Sequence, residues 1–327
     1  MTTAKHNTKV NAHGKHQMNL PKLIENFGSE DKCHDYLEEL RWPDGVTCPR
    51  CESKKISRIS KRRQFDCDSC RYQFSVRAGT IFHDSHLPIW KWFLAVYLMC
   101  ESKKGISANQ LKRTLAVSYK TAWYLCHRIR HAMRDDSPDL LEGIIEVDET
   151  YIGGKAKNRH VNERAKRRGE RQGKGGGLSD KTMVMGAIAR DGDIRLKIGP
   201  KATEVILEAF IRSAVDPDEA EKIITDAHKA YAGLKHGDAK HESVDHSADE
   251  WVRGDAHTNT VESAWSLLKR SIIGSYHQLS EKHLEAYLDE FSFRFNNRNN
   301  PWLFRDTMLK LITEDPMTYK ELTAQRE

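Results

Sequence analysis

Two C-x-x-C pairs, Cys48-Pro-Arg-Cys51 and Cys67-Asp-Ser-Cys70, stand 16 positions apart in a chain of 327 residues. Four thiols at this spacing fit one tetrahedral zinc site, in which each pair forms a tight knuckle and hairpins join the ends. Four thiolates leave no open coordination position, so this zinc is expected to be structural. Arg58, Lys61, Arg62 and Arg63, with Phe65, Tyr72 and Phe74, give the surrounding module a basic and aromatic character. Cys33, Cys100 and Cys126 lack paired partners and read as core residues.

The segments around the cysteines are helical in pattern. Residues 1–20 hold three lysines and no acid and read as a disordered basic arm. Residues 21–84 comprise an N-terminal helix and the zinc ribbon, the helix placing Cys33, Tyr36, Leu37 and Leu40 on one face before Pro43 closes it. Residues 85–135 read as an all-helical module. Its first stretch, PIWKWFLAVYLMC, is apolar nearly all round, as a buried helix is. GISANQLKRTLAVSYKTAWYLCHRIRHAM then predicts helix, short turn and helix, with Ser107 and Ser118 near their starts as caps. In a helix-turn-helix the second helix enters the major groove, and here it would offer Tyr119, Lys120, Trp123, His127 and Arg128.

Beyond the polar linker DDSPDLLE the period changes to that of strands. IIEVDETYI, TMVMGAIAR and DIRLKIGP predict three strands, TEVILEAFIRSAV a helix, EKIITDAH a strand and KHESVDHS a further one. Two helices follow, TNTVESAWSLLKRSII and SEKHLEAYLDEFSFRFNNR. This order, over residues 143–300, is compatible with a ribonuclease-H-like α/β domain on a mixed sheet, among other α/β arrangements. Residues 301–327 read as a C-terminal tail. Between the first two strands, residues 155–181 carry ten Lys and Arg against three acids, a local excess larger than the whole chain's +6. Charge concentrated in this way points to a polyanionic partner, and the insertion reads as a DNA clamp.

Three acids are spaced along this part: Asp148, Asp226 and Glu262. Asp148 and Asp226 each end an apolar strand, so adjacent strands would present both at one end of the sheet. Glu262 follows Asn259 by three positions, the spacing of a capping box. Val261, Trp265, Leu268 and Ile272 form a core stripe on its helix, leaving Glu262 and Lys269 two turns apart on a neighbouring face. Carboxylates that converge in space suit two divalent cations for phosphodiester chemistry, with Lys269 holding a phosphate nearby. Glu146 and Glu149 are close rivals to Asp148. No apolar run reaches the roughly 18–20 residues needed to span a bilayer, and the polar N-terminus has no signal-like core, so a cytoplasmic protein is expected.

The CPRC and CDSC pairs, VDETYIGGK, TDAHKAY, HTNTVESAWSLLKRSIIGSYHQLS and LDEFSFRFNNR together resemble DDE-type transposases of bacterial insertion sequences that carry an N-terminal zinc ribbon and helix-turn-helix. The resemblance covers roughly residues 25–300. It implies a ribonuclease-H-like catalytic domain in which Asp148, Asp226 and Glu262 bind two Mg2+ (or Mn2+) ions and Lys269 contacts phosphate. It further implies double-stranded DNA as partner, through Arg62, Arg63, Lys120, Arg128, Arg167, Arg168, Lys269 and Arg294, and a homodimer or higher oligomer on that DNA. The expected activity is cleavage at the element's terminal inverted repeats and joining of the 3′-OH to target DNA. A metal-dependent nuclease without strand transfer and a transposase-derived DNA-binding regulator are the alternatives.

Overall fold

A computed structural model describes residues 18–136, 138–153, 181–190, 192–231, 233–245 and 252–324. The basic arm up to residue 17 and the insertion through residue 180, with Arg167 and Arg168, lie outside the described residues. Helix α1 (Leu20–Phe27) starts at Asn19, whose side chain accepts a hydrogen bond from the Lys22 amide, and α2 (Glu30–Arg41) starts in the same way at Ser29. Strands β1 (Ile56–Ile59), β2 (Gln64–Cys67) and β3 (Gln73–Phe74) form a small antiparallel sheet in that order. Helices α3 (Ile89–Glu101), α4 (Ala108–Leu115) and α5 (Tyr119–Met133) follow. Ser107 and Ser118 cap α4 and α5 as their positions predict, accepting from the Gln110 and Thr121 amides. Cys33, Cys100 and Cys126 are buried in this helical core.

The second part is built on one mixed sheet. Its elements are β4 (Leu141–Ile152), β5 (Thr182–Ala189), β6 (Ile194–Gly199), α6 (Glu204–Ala214), β7 (Val215–Asp226), β8 (Lys240–Val244), α7 (Asn259–Ser271) and α8 (Glu281–Asn296). The strand order is β6-β5-β4-β7-β8. β4 pairs antiparallel with β5 and parallel with β7, and β8 continues parallel at the edge. Side chains alternate across the pleat, so Ile145, Val147 and Ile223 pack with α6 on one face, while Val184 and Ile188 pack with α7 and α8 on the other. This is the ribonuclease-H-like arrangement expected, with helices on both faces of a mixed sheet.

Residues 301–324 are no tail. They form α9 (Leu303–Thr313) and α10 (Tyr319–Thr323), and Phe304, Met308 and Leu311 of α9 are buried among α2, α3 and α5. The apolar positions 303, 304, 308, 311 and 312 make a helical stripe that must find a partner, and the N-terminal helices supply it. Helix α9 thereby completes the core of the first module. Among the described residues no helix is long and apolar enough to cross a membrane.

Candidate metal centres and nucleic-acid interface

The four ribbon cysteines converge. Their sulfur atoms all lie within 4.8 Å of one another, with Cys48 and Cys70 3.7 Å apart and Cys51 and Cys67 3.5 Å apart. A Zn–S bond of about 2.3 Å sets sulfur atoms of a tetrahedron about 3.8 Å apart, so the thiol set fits zinc. The Arg50 amide donates to the Cys48 sulfur at 3.4 Å, as a knuckle requires. Apart from the cysteines, the ribbon's own buried apolar side chains are Phe65, Phe74 and Ala78, too few to hold three short strands unaided. Chelating the metal should therefore unfold the ribbon, because metal binding free energy is folding free energy in such modules. Circular dichroism and thiol titration on the full chain check this: four newly reactive thiols are expected on chelation, and an unchanged spectrum with unreactive thiols would exclude a zinc-dependent ribbon.

Asp148 and Asp226 are brought together by strand pairing. β4 and β7 run parallel with Glu146 opposite Ile224, and continuing that register two residues sets Asp148 opposite Asp226. Both side chains fall on the α7 face at the carboxyl ends of the strands, where open α/β sheets bind ligands. Burial pushes the Asp148 carboxyl up to about 7, with the Glu149 and Asp226 carboxylates adding to the rise. A cation would relieve that crowding, so the donor set suits a hard divalent metal.

The next side chain, Glu149, points to the other face and accepts a hydrogen bond from the buried Tyr231 hydroxyl at 2.6 Å. Burial raises its pKa, and Asp226 contributes in the same direction. Thus Asp148, Glu149 and Asp226 crowd one end of the sheet.

Helix α7 reaches the same end. The Trp265 indole donates to Asp148 Oδ2 at 2.8 Å and packs against Gly186, Asp148's cross-strand partner. A Cβ at Gly186 would come within 2.5 Å of the indole, so only glycine admits this approach. Glu262 sits one turn before Trp265, partly buried, and accepts from the Thr258 hydroxyl at 3.1 Å. Lys269 is exposed two turns beyond Glu262. Among the described residues only the four cysteines gather three or more possible ligand atoms within 4.8 Å, so the three acids stand more widely spaced than a closed ligand set.

The Asn259–Glu262 capping box does not form. Thr258 is the N-cap residue, and the cap comes from Glu146 on β4. Glu146 is fully buried: Oε2 accepts from the Thr260 and Val261 amides at 2.8 and 3.1 Å, and Oε1 from the Thr260 hydroxyl and Arg190 Nε, both at 2.9 Å. A carboxylate at the positive end of a helix satisfies amides that would otherwise be buried unpaired. Glu146 is therefore committed to holding α7. Sequence reasoning missed Glu146 and the polar side of Trp265, which read only as a rival ligand and a core residue.

The expected DNA contacts divide sharply. Arg62, Lys120 and Lys269 are exposed, and Arg63 pairs with Asp31. Arg128 and Arg294 are buried and are corrected to braces. Arg128 donates to the Ile81 and His83 carbonyls between the Trp92 and Tyr124 rings, because the second half of α5 turns into the core. Arg294 donates to the Ser102 and Lys103 carbonyls at 2.8 and 2.9 Å beside Glu290. His127 is buried as well, so of the side chains expected on α5's groove face, Tyr119 and Lys120 at its start are the ones fully exposed. A buried ion pair, Arg130 Nε to Glu290 Oε2 at 2.6 Å, locks α5 onto α8 and so ties the helix pair to the sheet domain.

Two family models match parts of this chain. The model of the ISXO2-like transposase domain matches residues 140–296, and that of the transposase zinc-ribbon domain matches residues 28–73. A Halobacterium salinarum protein described as an uncharacterized protein in transposable element ISH50 is 34% identical over 278 residues, covering 83% of this chain and 92% of that protein. A solved chain in the crystal structure of a pre-cleavage Mos1 transpososome is 12% identical, covering 66% of this chain and 77% of that one, with a TM-score of 0.25. With zinc-ribbon and transposase-domain models both matched and a relative aligned over most of its length, the chain belongs to the ISXO2-like transposases of insertion sequences, the DDE type that bears an N-terminal zinc ribbon.

Proposed function

We propose that this transposase binds the terminal inverted repeats of its element, cuts a phosphodiester at each end and joins the freed 3′-OH to target DNA. The observation that carries the proposal is that the parallel pairing of β4 with β7 brings the Asp148 and Asp226 carboxylates close enough to repel each other, with α7 fixed against them through Glu146 and Trp265. Asp148, Asp226 and Glu262 would hold two Mg2+ or Mn2+ ions, whose chemistry is to polarise the scissile phosphate and lower the pKa of the attacking hydroxyl. On this reading α7 would bring Glu262 to that site, and Lys269, two turns along, would hold a phosphate of the same strand. The rigid Arg130–Glu290 link lets DNA seated on the ribbon and on the starts of α4 and α5 fix the position of the scissile bond. Phosphate contacts would supply most of the affinity, so binding should weaken steeply with salt. Two ends held in one complex call for two copies of the chain.

The test is a joining assay with a labelled end duplex, plasmid target and Mg2+. A labelled product covalently attached to the plasmid is expected; cleavage with no attachment would replace the reading with a nuclease that only hydrolyses.

A further inference from the structure

Beside the turn between α4 and α5 lies a recess of about 530 Å3 that none of the steps above uses. Its wall is aromatic, formed by Trp123, His127, Tyr276, His283 and Tyr287, with Tyr119 at the rim. The rings meet tilted or edge-on, His127 lying 4.5 Å from Trp123, 4.9 Å from His283 and 5.6 Å from Tyr287 between centroids. Apart from His127 these rings are only partly buried, and Tyr119 is 49% exposed.

The His127 side chain lies at the floor. It is 2% exposed, and its Nε2 has no hydrogen-bond partner among the described residues. Buried polar atoms are nearly always paired, so an unpaired nitrogen just beneath the wall of a recess that its own residue lines points to a ligand's polar edge there. Burial, with Arg130 and His283 adding to it, pushes the His127 pKa down to about 2, so the ring is neutral and offers one donor and one acceptor nitrogen. The mouth has a second character. Helices α4, α5 and α8 all begin there, after Ser107, Ser118 and Ser280, and the Ser280 side chain caps nothing. Helix starts present free amides to anions, and exposed Arg113 stands at the same rim.

We propose that this recess receives a single nucleotide unstacked from the DNA bound at α4 and α5, its base on the aromatic wall with one edge at His127 Nε2 and its phosphate at the helix starts. The inference rests on the reading that α4 and α5 meet DNA. Every base has a face that stacks on aromatic rings, and the recess lies within the roughly 300–1,000 Å3 range of small-molecule sites. Extruding one nucleotide would anchor the strand at a fixed distance from the sheet domain, through the same α5–α8 contact that Arg130 and Glu290 make.

Two measurements on the full chain test it. Titration with 2-aminopurine deoxyriboside 5′-monophosphate, without DNA, should show quenching by the wild type and affinities about tenfold weaker for Trp123→Ala and for Tyr119→Ala. Tyr119 is exposed, so the second variant keeps its fold. End duplexes carrying 5-iododeoxyuridine at successive positions should photo-crosslink from one position to Trp123, His283 or Tyr287. Wild-type affinity for the monophosphate in both variants, or crosslinks from every position that avoid these three residues, would overturn the proposal. The monophosphate titration needs no strand cleavage, so a failed joining assay with intact monophosphate binding would sink the transposition reading alone.

Discussion

Asp226→Asn should lose DNA cleavage by about a thousandfold or more while binding an end duplex as the wild type does. The magnitude follows from removing a ligand of ions that supply several kcal/mol of transition-state stabilisation, each 1.4 kcal/mol being a factor of ten in rate. Binding should survive because Asp226 ends an interior strand, far in sequence from the basic ribbon and the α4–α5 turn that would hold phosphates. The fold should survive too, since the Asp226 carboxylate accepts a hydrogen bond from the His228 amide at 3.1 Å, which an asparagine oxygen can also accept. Gel-shift and single-turnover cleavage on one preparation separate the two effects. Unchanged cleavage would remove Asp226 from the metal site, and lost binding would make it a structural residue.

Glu146→Ala should be the most destabilising change in the sheet domain, by roughly 3–5 kcal/mol, the scale of removing one partner from a buried ion pair. The loss has three parts. Arg190 keeps a half-buried charge with its partner gone, the Thr260 and Val261 amides lose their acceptor, and a void opens between β4 and α7. Because α7 carries both Trp265 and Glu262, a slackened helix start also displaces the third acid. Glu146→Gln tells the two consequences apart: it keeps the volume and one acceptor oxygen, so it should recover much of the stability while cleavage stays depressed. Denaturant unfolding read beside the cleavage rate checks both. A Glu146→Ala protein as stable as the wild type would contradict the capping role.

What could be read from the chain beforehand was local. The zinc cysteines declare themselves by spacing, Ser107 and Ser118 by preceding helical patterns, and four of the five strands of the sheet by their apolar positions, whereas KHESV of β8 is mostly polar. Asp148 and Asp226 drew notice because each follows Ile and Val in a strand pattern, and the parallel pairing of β4 with β7 brings them near each other. Glu146 was not, because its meaning depends on an α7 that lies 114 positions away and on Arg190 of a third segment. The same limit explains Arg128 and Arg294. A basic residue on an amphipathic helix looks alike whether its face meets solvent or another helix, and only the packing of α5 against α8 and α9 decides it. The stripe of α9 was present in the sequence and went unused, since nothing local reveals that the end of the chain returns to the first module. Trp265 belongs to both classes: its place in the core stripe is periodic and readable, whereas its hydrogen bond to Asp148 needs Gly186 on the neighbouring strand.

In the proposed function Asp148, Asp226 and Glu262 act on the same pair of ions, although in the isolated chain they stand more widely spaced than a closed ligand set. Electron paramagnetic resonance titration with Mn2+, on the full chain bound to an end duplex, tests this most directly. Two bound ions are expected for the wild type, with at least one lost or strongly weakened in each of Asp148→Asn, Asp226→Asn and Glu262→Gln. Two ions bound with wild-type affinity in all three variants would contradict it.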